Sequence, residues 1–66
     1  MQIQVNGKGR QLEDNVSLAE LLSVSVQRTD GVAVAVNRAV VPRSRWASHT
    51  LVGGDQVEII QAVGGG

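Results

Sequence analysis

MQIQVNGKGRQLEDNVSLAELLSVSV, residues 1–26, changes its hydrophobic period partway along. The first six residues alternate strictly, with Met1, Ile3 and Val5 on one face and Gln2, Gln4 and Asn6 on the other. That is the period of a half-buried strand. NGKG (6–9) follows as a hairpin turn signal, and RQLEDN (10–15) returns as a second, poorer strand through Leu12. From there the apolar residues switch to helical spacing: Leu18, Leu21 and Leu22 form a stripe that Val26 extends by one turn. Ser17 with Glu20 three residues on makes a capping box, hydroxyl and carboxylate each satisfying an orphan backbone N–H. The spacing predicts a helix over about residues 18–26, weakened at its end by the poor helix formers Val24 and Val26.

Downstream the strand period comes back. TDG (29–31) supplies a turn, and VAVAVN (32–37) places Val32, Val34 and Val36 on one face and the small Ala33 and Ala35 on the other. AVVP (39–42) reads as a short strand that Pro42 ends or leaves at an edge, because proline donates no ladder bond. RSRWASH (43–49) fits a single helical turn carrying Trp46 inward, and LVGGDQ (51–56) is a Gly-Gly-Asp turn. QVEIIQAV (56–63) is the last strand, with Val57 and Ile59 opposite Glu58 and Ile60. This order predicts a two-layer α+β domain of β-grasp type: a mixed sheet of four to five strands with one main helix packed on one face. The first and last strands, the most regular, are expected parallel at the sheet centre. Residues 1–61 form the domain, and residues 62–66 are expected to be a flexible C-terminal Gly-rich tail.

Composition excludes several function classes. Six Lys and Arg balance six Asp and Glu, so the charge leaves no electrostatic footprint for nucleic acid or an anionic membrane. No apolar run is long enough to span a bilayer, and a cytoplasmic protein, monomeric when free, is expected. There is no cysteine and one histidine, and the carboxylates Glu13, Asp14, Glu20, Asp30, Asp55 and Glu58 are scattered. No intrinsic metal or cofactor is expected on that basis. His49 stands alone in a polar loop, and Glu13 and Asp14 point to opposite faces if extended, so no catalytic residue is assigned. Gly53 and Gly54 lack any phosphate-loop pattern. Arg38, Arg43 and Arg45 near Pro42 read as a partner-docking or solvated patch.

Gly64, Gly65 and Gly66 then hold the interest. By composition they are either an unpacked end or a carboxylate offered to a partner. Residues 62–66 reach roughly 17 Å when extended, at about 3.3–3.6 Å per residue, and their glycines carry no side chain to obstruct a narrow channel. A carboxylate so delivered needs activation, for which adenylation by ATP is the usual route.

AVNRAVVPRSRW (35–46), GGDQVEIIQAVGGG (53–66) and the opening MQIQVNG (1–7) resemble the sulfur carriers of thiamin biosynthesis, the ThiS family of ubiquitin-like β-grasp proteins. The asparagine, the Val-Pro-Arg step and the tryptophan between Val36 and Trp46 are the most specific part. The resemblance implies that Gly66 is adenylated by a ThiF-like enzyme using ATP and Mg²⁺ and converted to a thiocarboxylate. Its sulfur comes from a donor such as a cysteine desulfurase and passes to a ThiG-like thiazole synthase. Gly65 and Gly66 match the family's terminal pair; Gly64, an additional glycine, belongs with Gly65 to the stretch that gives access to a partner's active site. A docking surface is implied as well, with Ile60, Ala33 and Ala35 forming a flat apolar patch and Arg43 as a further candidate. Sulfur carriage for molybdopterin or cysteine formation, ubiquitin-like protein modification, and an inert β-grasp binding module stay open as alternatives.

Overall fold

β1 (Gln2–Val5) and β2 (Lys8–Gln11) pair antiparallel, Ile3 opposite Arg10 and Val5 opposite Lys8, in a computed structural model that describes residues 1–61. The tail expectations for Gly64, Gly65 and Gly66 lie outside the described residues. Asn6 (φ 51°) and Gly7 (φ 81°) both stand in the left-handed region, giving the two-residue turn whose twist matches that of a hairpin. So tight a turn leaves no spare residue, and β2 therefore begins at Lys8, two residues before the expected Arg10. It ends before Leu12, whose N–H still bonds the Met1 carbonyl at 2.8 Å.

The helix α1 spans Leu18–Ser25 and opens on the expected capping box: the Glu20 N–H donates to Ser17 Oγ at 3.1 Å, and the Ser17 N–H to Glu20 Oε1 at 3.4 Å. Val26 has already turned extended (φ −131°, ψ 147°), so the helix stops one residue short of the predicted end. A β-branched residue loses side-chain freedom in a helix and gives it up readily at a terminus. At the other end the Leu18 N–H donates to the His49 carbonyl at 2.8 Å and the Ala19 N–H to the Trp46 carbonyl at 3.0 Å. The segment after Pro42 thus satisfies first-turn donors that have no partner within the helix.

β3 (Val32–Val36), β4 (Ala39–Val40) and β5 (Gln56–Gln61) complete a five-stranded sheet of order β2-β1-β5-β3-β4. β1 and β5 run parallel and the other pairs antiparallel, so the last strand is the middle one, as expected. Between β4 and β5, Arg43–Arg45 form one 3-10 turn that carries Trp46 inward; the indole N–H donates to the Val41 carbonyl at 2.9 Å. Leu18, Leu21 and Leu22 of the helix pack with Ile3, Val34, Val36, Val57, Leu51 and Trp46, all buried. That core occupies one face of the sheet. Among the described residues, no helix is long and apolar enough to cross a membrane.

Candidate functional site

Strand alternation sends every second side chain to the face of the sheet away from α1, and among the described residues no further layer covers that face. On that face Ile60 stands opposite Ala33, and Ala35 has Glu58 on one side and Val40 on the other. Ile60 is 65% exposed and Val40 76%, whereas Val57 and Val34, neighbours in the same strands, are buried against the helix. The structure therefore brings together Ile60, Ala33 and Ala35, as the sequence pattern suggested, and adds Val40. Two alanines between two branched side chains keep the patch low and flat. Polar residues border it, with Gln4 beside Gln56 across the β1–β5 pair.

Val40 was not singled out from the sequence because AVVP offers two adjacent valines and no way to tell their faces. Register decides: Val40 pairs with Ala35, while the Val41 N–H donates to the Val34 carbonyl at 2.9 Å and its side chain is buried.

Arg43 stands apart from the patch. Its Nη2 donates to Thr29 Oγ1 at 2.8 Å, and its guanidinium lies 5.8 Å from the centroid of the Trp46 ring. The Thr29 backbone carbonyl accepts the Val32 N–H at 3.2 Å, and Val32 pairs with Gln61. Arg43 is thus tied to the end of the sheet where β3 begins and β5 finishes. Arg38 is exposed in the turn between β3 and β4, and Arg45 lines a shallow hollow with His49 and Pro42, so the three arginines do not act as one cluster. His49 contributes its backbone carbonyl to the helix start. Asp14 lies 3.6 Å from the terminal ammonium of Met1. Among the described residues, no group of three or more His, Cys, Asp or Glu side chains is placed to hold a metal ion.

On the helix side, a cleft of about 580 Å³ opens beside the end of β5, lined by Val5, Asn6, Lys8, Arg10, Ile59 and Gln61 among others. Asn6, by sequence a polar-face strand residue and the start of a turn, reaches from the hairpin to β5: the Ile59 N–H donates to Asn6 Oδ1 at 2.8 Å, and Asn6 Nδ2 donates to the Ile59 carbonyl at 3.3 Å. The Asn-Gly dipeptide alone contains no sign of this contact across 53 residues.

The arrangement is one of presentation: an open sheet face, and a central strand whose C-terminal end leads directly into residues 62–66. A model of the ThiS family matches residues 3–66. The chain is 39% identical over 66 residues to the sulfur carrier protein ThiS of Escherichia coli (strain K12), covering 100% of both. It is 35% identical over 66 residues to a thiazole synthase of Magnetococcus marinus, matching all of this chain but 20% of that protein. A thiazole synthase of Paramagnetospirillum magneticum is 32% identical with the same coverage, so the chain spans about a fifth of those two relatives. Among solved structures, the crystal structure of the thiamine biosynthesis protein (ThiS) from Geobacter metallireducens superposes with a TM-score of 0.85 at 33% identity, with 100% of both chains covered. The chain belongs to the ThiS family.

Proposed function

We propose that this chain is a sulfur carrier that serves thiazole formation in thiamin biosynthesis, with the carboxylate of Gly66 as the carrying group. The observation that carries this reading is the match to the Escherichia coli sulfur carrier, at 39% identity over 66 residues. The family match likewise runs through Gly66.

In this reading the domain is a handle and the chemistry belongs to partners. An oxygen of the Gly66 carboxylate attacks the α-phosphorus of ATP, bound with Mg²⁺ in a ThiF-like enzyme, and pyrophosphate leaves. The terminal sulfur of a persulfide, from a donor such as a cysteine desulfurase, then attacks the acyl carbon and expels AMP. A thiol cleaves the resulting acyl disulfide, forming a disulfide with the donor's sulfur and releasing the thiocarboxylate. A terminal glycine suits both steps because no side chain crowds its carboxylate, either as it attacks phosphorus or as its acyl carbon is attacked. Gly64 and Gly65 allow the same unobstructed entry into a partner's channel. The patch of Ile60, Ala33, Ala35 and Val40 is the docking face, and Arg43, apart from it near the strand end, is a second point of contact. Two thiazole synthases contain a segment like this chain within their own length, which supports such an enzyme as the acceptor of the sulfur. The carrier acts in the cytoplasm as a free monomer that visits these partners in turn.

Intact mass spectrometry of the protein from its own host tests the proposal. Replacement of one oxygen by sulfur at the C-terminus is expected, and a ladder of larger conjugates would mark a protein modifier instead. Deletion of Gly66 abolishes the conversion and leaves the thermal unfolding transition in place. A chain that stays unmodified with an adenylating enzyme, ATP, Mg²⁺ and a sulfur donor overturns the reading.

A further inference from the structure

We propose that Asn6 is a positioning residue that clamps the end of β5 and so fixes where residues 62–66 begin; the consequence for chemistry rests on the sulfur-carrier reading above. β1 holds β5 through a regular series of bonds, the Gln4 N–H to the Asp55 carbonyl at 2.9 Å and the Asn6 N–H to the Val57 carbonyl at 2.9 Å. The next rung falls at Ile59. By then the hairpin turn at Asn6 and Gly7 has carried the β1 backbone away.

The Asn6 side chain supplies that rung. A primary amide has the donor and acceptor of a peptide unit, and here Oδ1 accepts from the Ile59 N–H at 2.8 Å while Nδ2 donates to the Ile59 carbonyl at 3.3 Å. Three atoms of one residue, its backbone N, Oδ1 and Nδ2, therefore hold β5 from Val57 to Ile59. The position asks for two properties together: tolerance of φ 51° and an amide at this reach. Asparagine has both. Aspartate keeps the acceptor but sets a carboxylate against the Ile59 carbonyl, and glycine keeps the turn but has no side chain.

Without the clamp, Ile59–Gln61 are held by backbone pairing from the β3 side alone. Both side-chain bonds are exposed, so they add little to global stability. Their effect is on geometry: β5 loses its support on the β1 side from Ile59 onward, and its end takes a wider range of directions, which the reacting carboxylate inherits. Misplacement by about 1 Å can cost about a hundredfold in rate, so even partial loosening lowers turnover. Ile60 keeps its place opposite Ala33, which leaves docking in place.

Asn6→Gly and Asn6→Asp test this, each read by amide exchange in the free protein and by pyrophosphate release with a ThiF-like enzyme and ATP. For Asn6→Gly, protection of the Ile59 amide is expected to fall at least about tenfold, with Ile3 and Val34 amides unchanged. Its kcat falls about tenfold while KM moves less than about twofold. Asn6→Asp, which keeps the acceptor, is expected to fall between. Retained Ile59 protection in Asn6→Gly overturns the clamp. Lost protection with unchanged kcat overturns its positioning role. A wild-type chain that is never adenylated overturns the carrier reading and the positioning role with it, while Ile59 exchange still decides the clamp.

Discussion

At its start β5 is met by Asn37 from the β3 side, and at its end by Asn6 from the β1 side. Both asparagines stand at φ 51° at the first position of a tight turn, and both give their carboxamide to the strand between them. Asn37 Oδ1 accepts from the Gln56 N–H at 2.9 Å, and its Nδ2 donates to Asp55 Oδ1, also at 2.9 Å. Asp55 is buried, at 6% exposure, and its second oxygen accepts the Val52 N–H at 2.9 Å. The start of β5 is thus a closed network around a buried carboxylate. The Asn6 clamp is exposed, and among the described residues its amide bonds only Ile59. One side-chain device serves stability where it anchors a buried carboxylate and geometry where both of its bonds are exposed.

Removing the carboxylate is the largest way to break that contrast. Asp55→Ala leaves the Val52 N–H and the Asn37 amide without their acceptor inside the fold. It is expected to cost about 2–3 kcal/mol in urea unfolding. For a domain this small that is a large part of the total. A cost near zero would mean that the network is not what holds the strand start.

Next comes the same substitution at both ends. Asn37→Gly keeps the left-handed turn and deletes two bonds, one of them to the buried Asp55, so about 1–2 kcal/mol is expected. Asn6→Gly also deletes two bonds, both exposed, and is expected to cost less than about 1 kcal/mol. Equal costs would erase the distinction between the two ends. A smaller change sharpens it from the turn side: Arg38 sits at φ 70°, whereas the corresponding residue of the first hairpin is Gly7. Arg38→Gly relieves that conformation and is expected to raise stability by about 0.5–1 kcal/mol, seen as a higher unfolding midpoint.

The features that were legible in the sequence are those set by local periodicity. Strict alternation gave away β1, a looser alternation β5, and Ser17 with Glu20 marked the helix start to the residue. Trp46 was identifiable as the inward member of its turn because it is the one aromatic among aliphatics. Features created by pairing were hidden. The bounds of β2 depended on the turn type, and the exposure of Val40 on a two-residue register with β3. Arg43 took partners from two different elements, Thr29 and Trp46. Asn6 showed its turn-forming character but not its reach to Ile59, since a bond across 53 residues leaves no local pattern. The role of Gly66 became specific through resemblance, because three glycines encode no geometry of their own.

Ile60→Asp separates docking from presentation with the least disturbance to the fold. Ile60 is 65% exposed on the open face and lies outside the buried core, so the substitution is expected to change stability by no more than about 0.5 kcal/mol. A carboxylate there sits two residues from Glu58 on the same face and must be desolvated under an apolar partner. The expected result with the adenylating enzyme is a KM raised about tenfold, the loss of one well-packed interface anchor, with kcat held. This is the opposite split from Asn6→Gly, which lowers kcat and spares KM. Val57→Asp, on the same strand but facing the helix, serves as the contrast and is expected to unfold the domain. If Ile60→Asp and Asn6→Gly moved the same kinetic constant, patch and clamp would form one continuous site. Opposite splits require that the partner first grips the face and then reads the direction of the strand end.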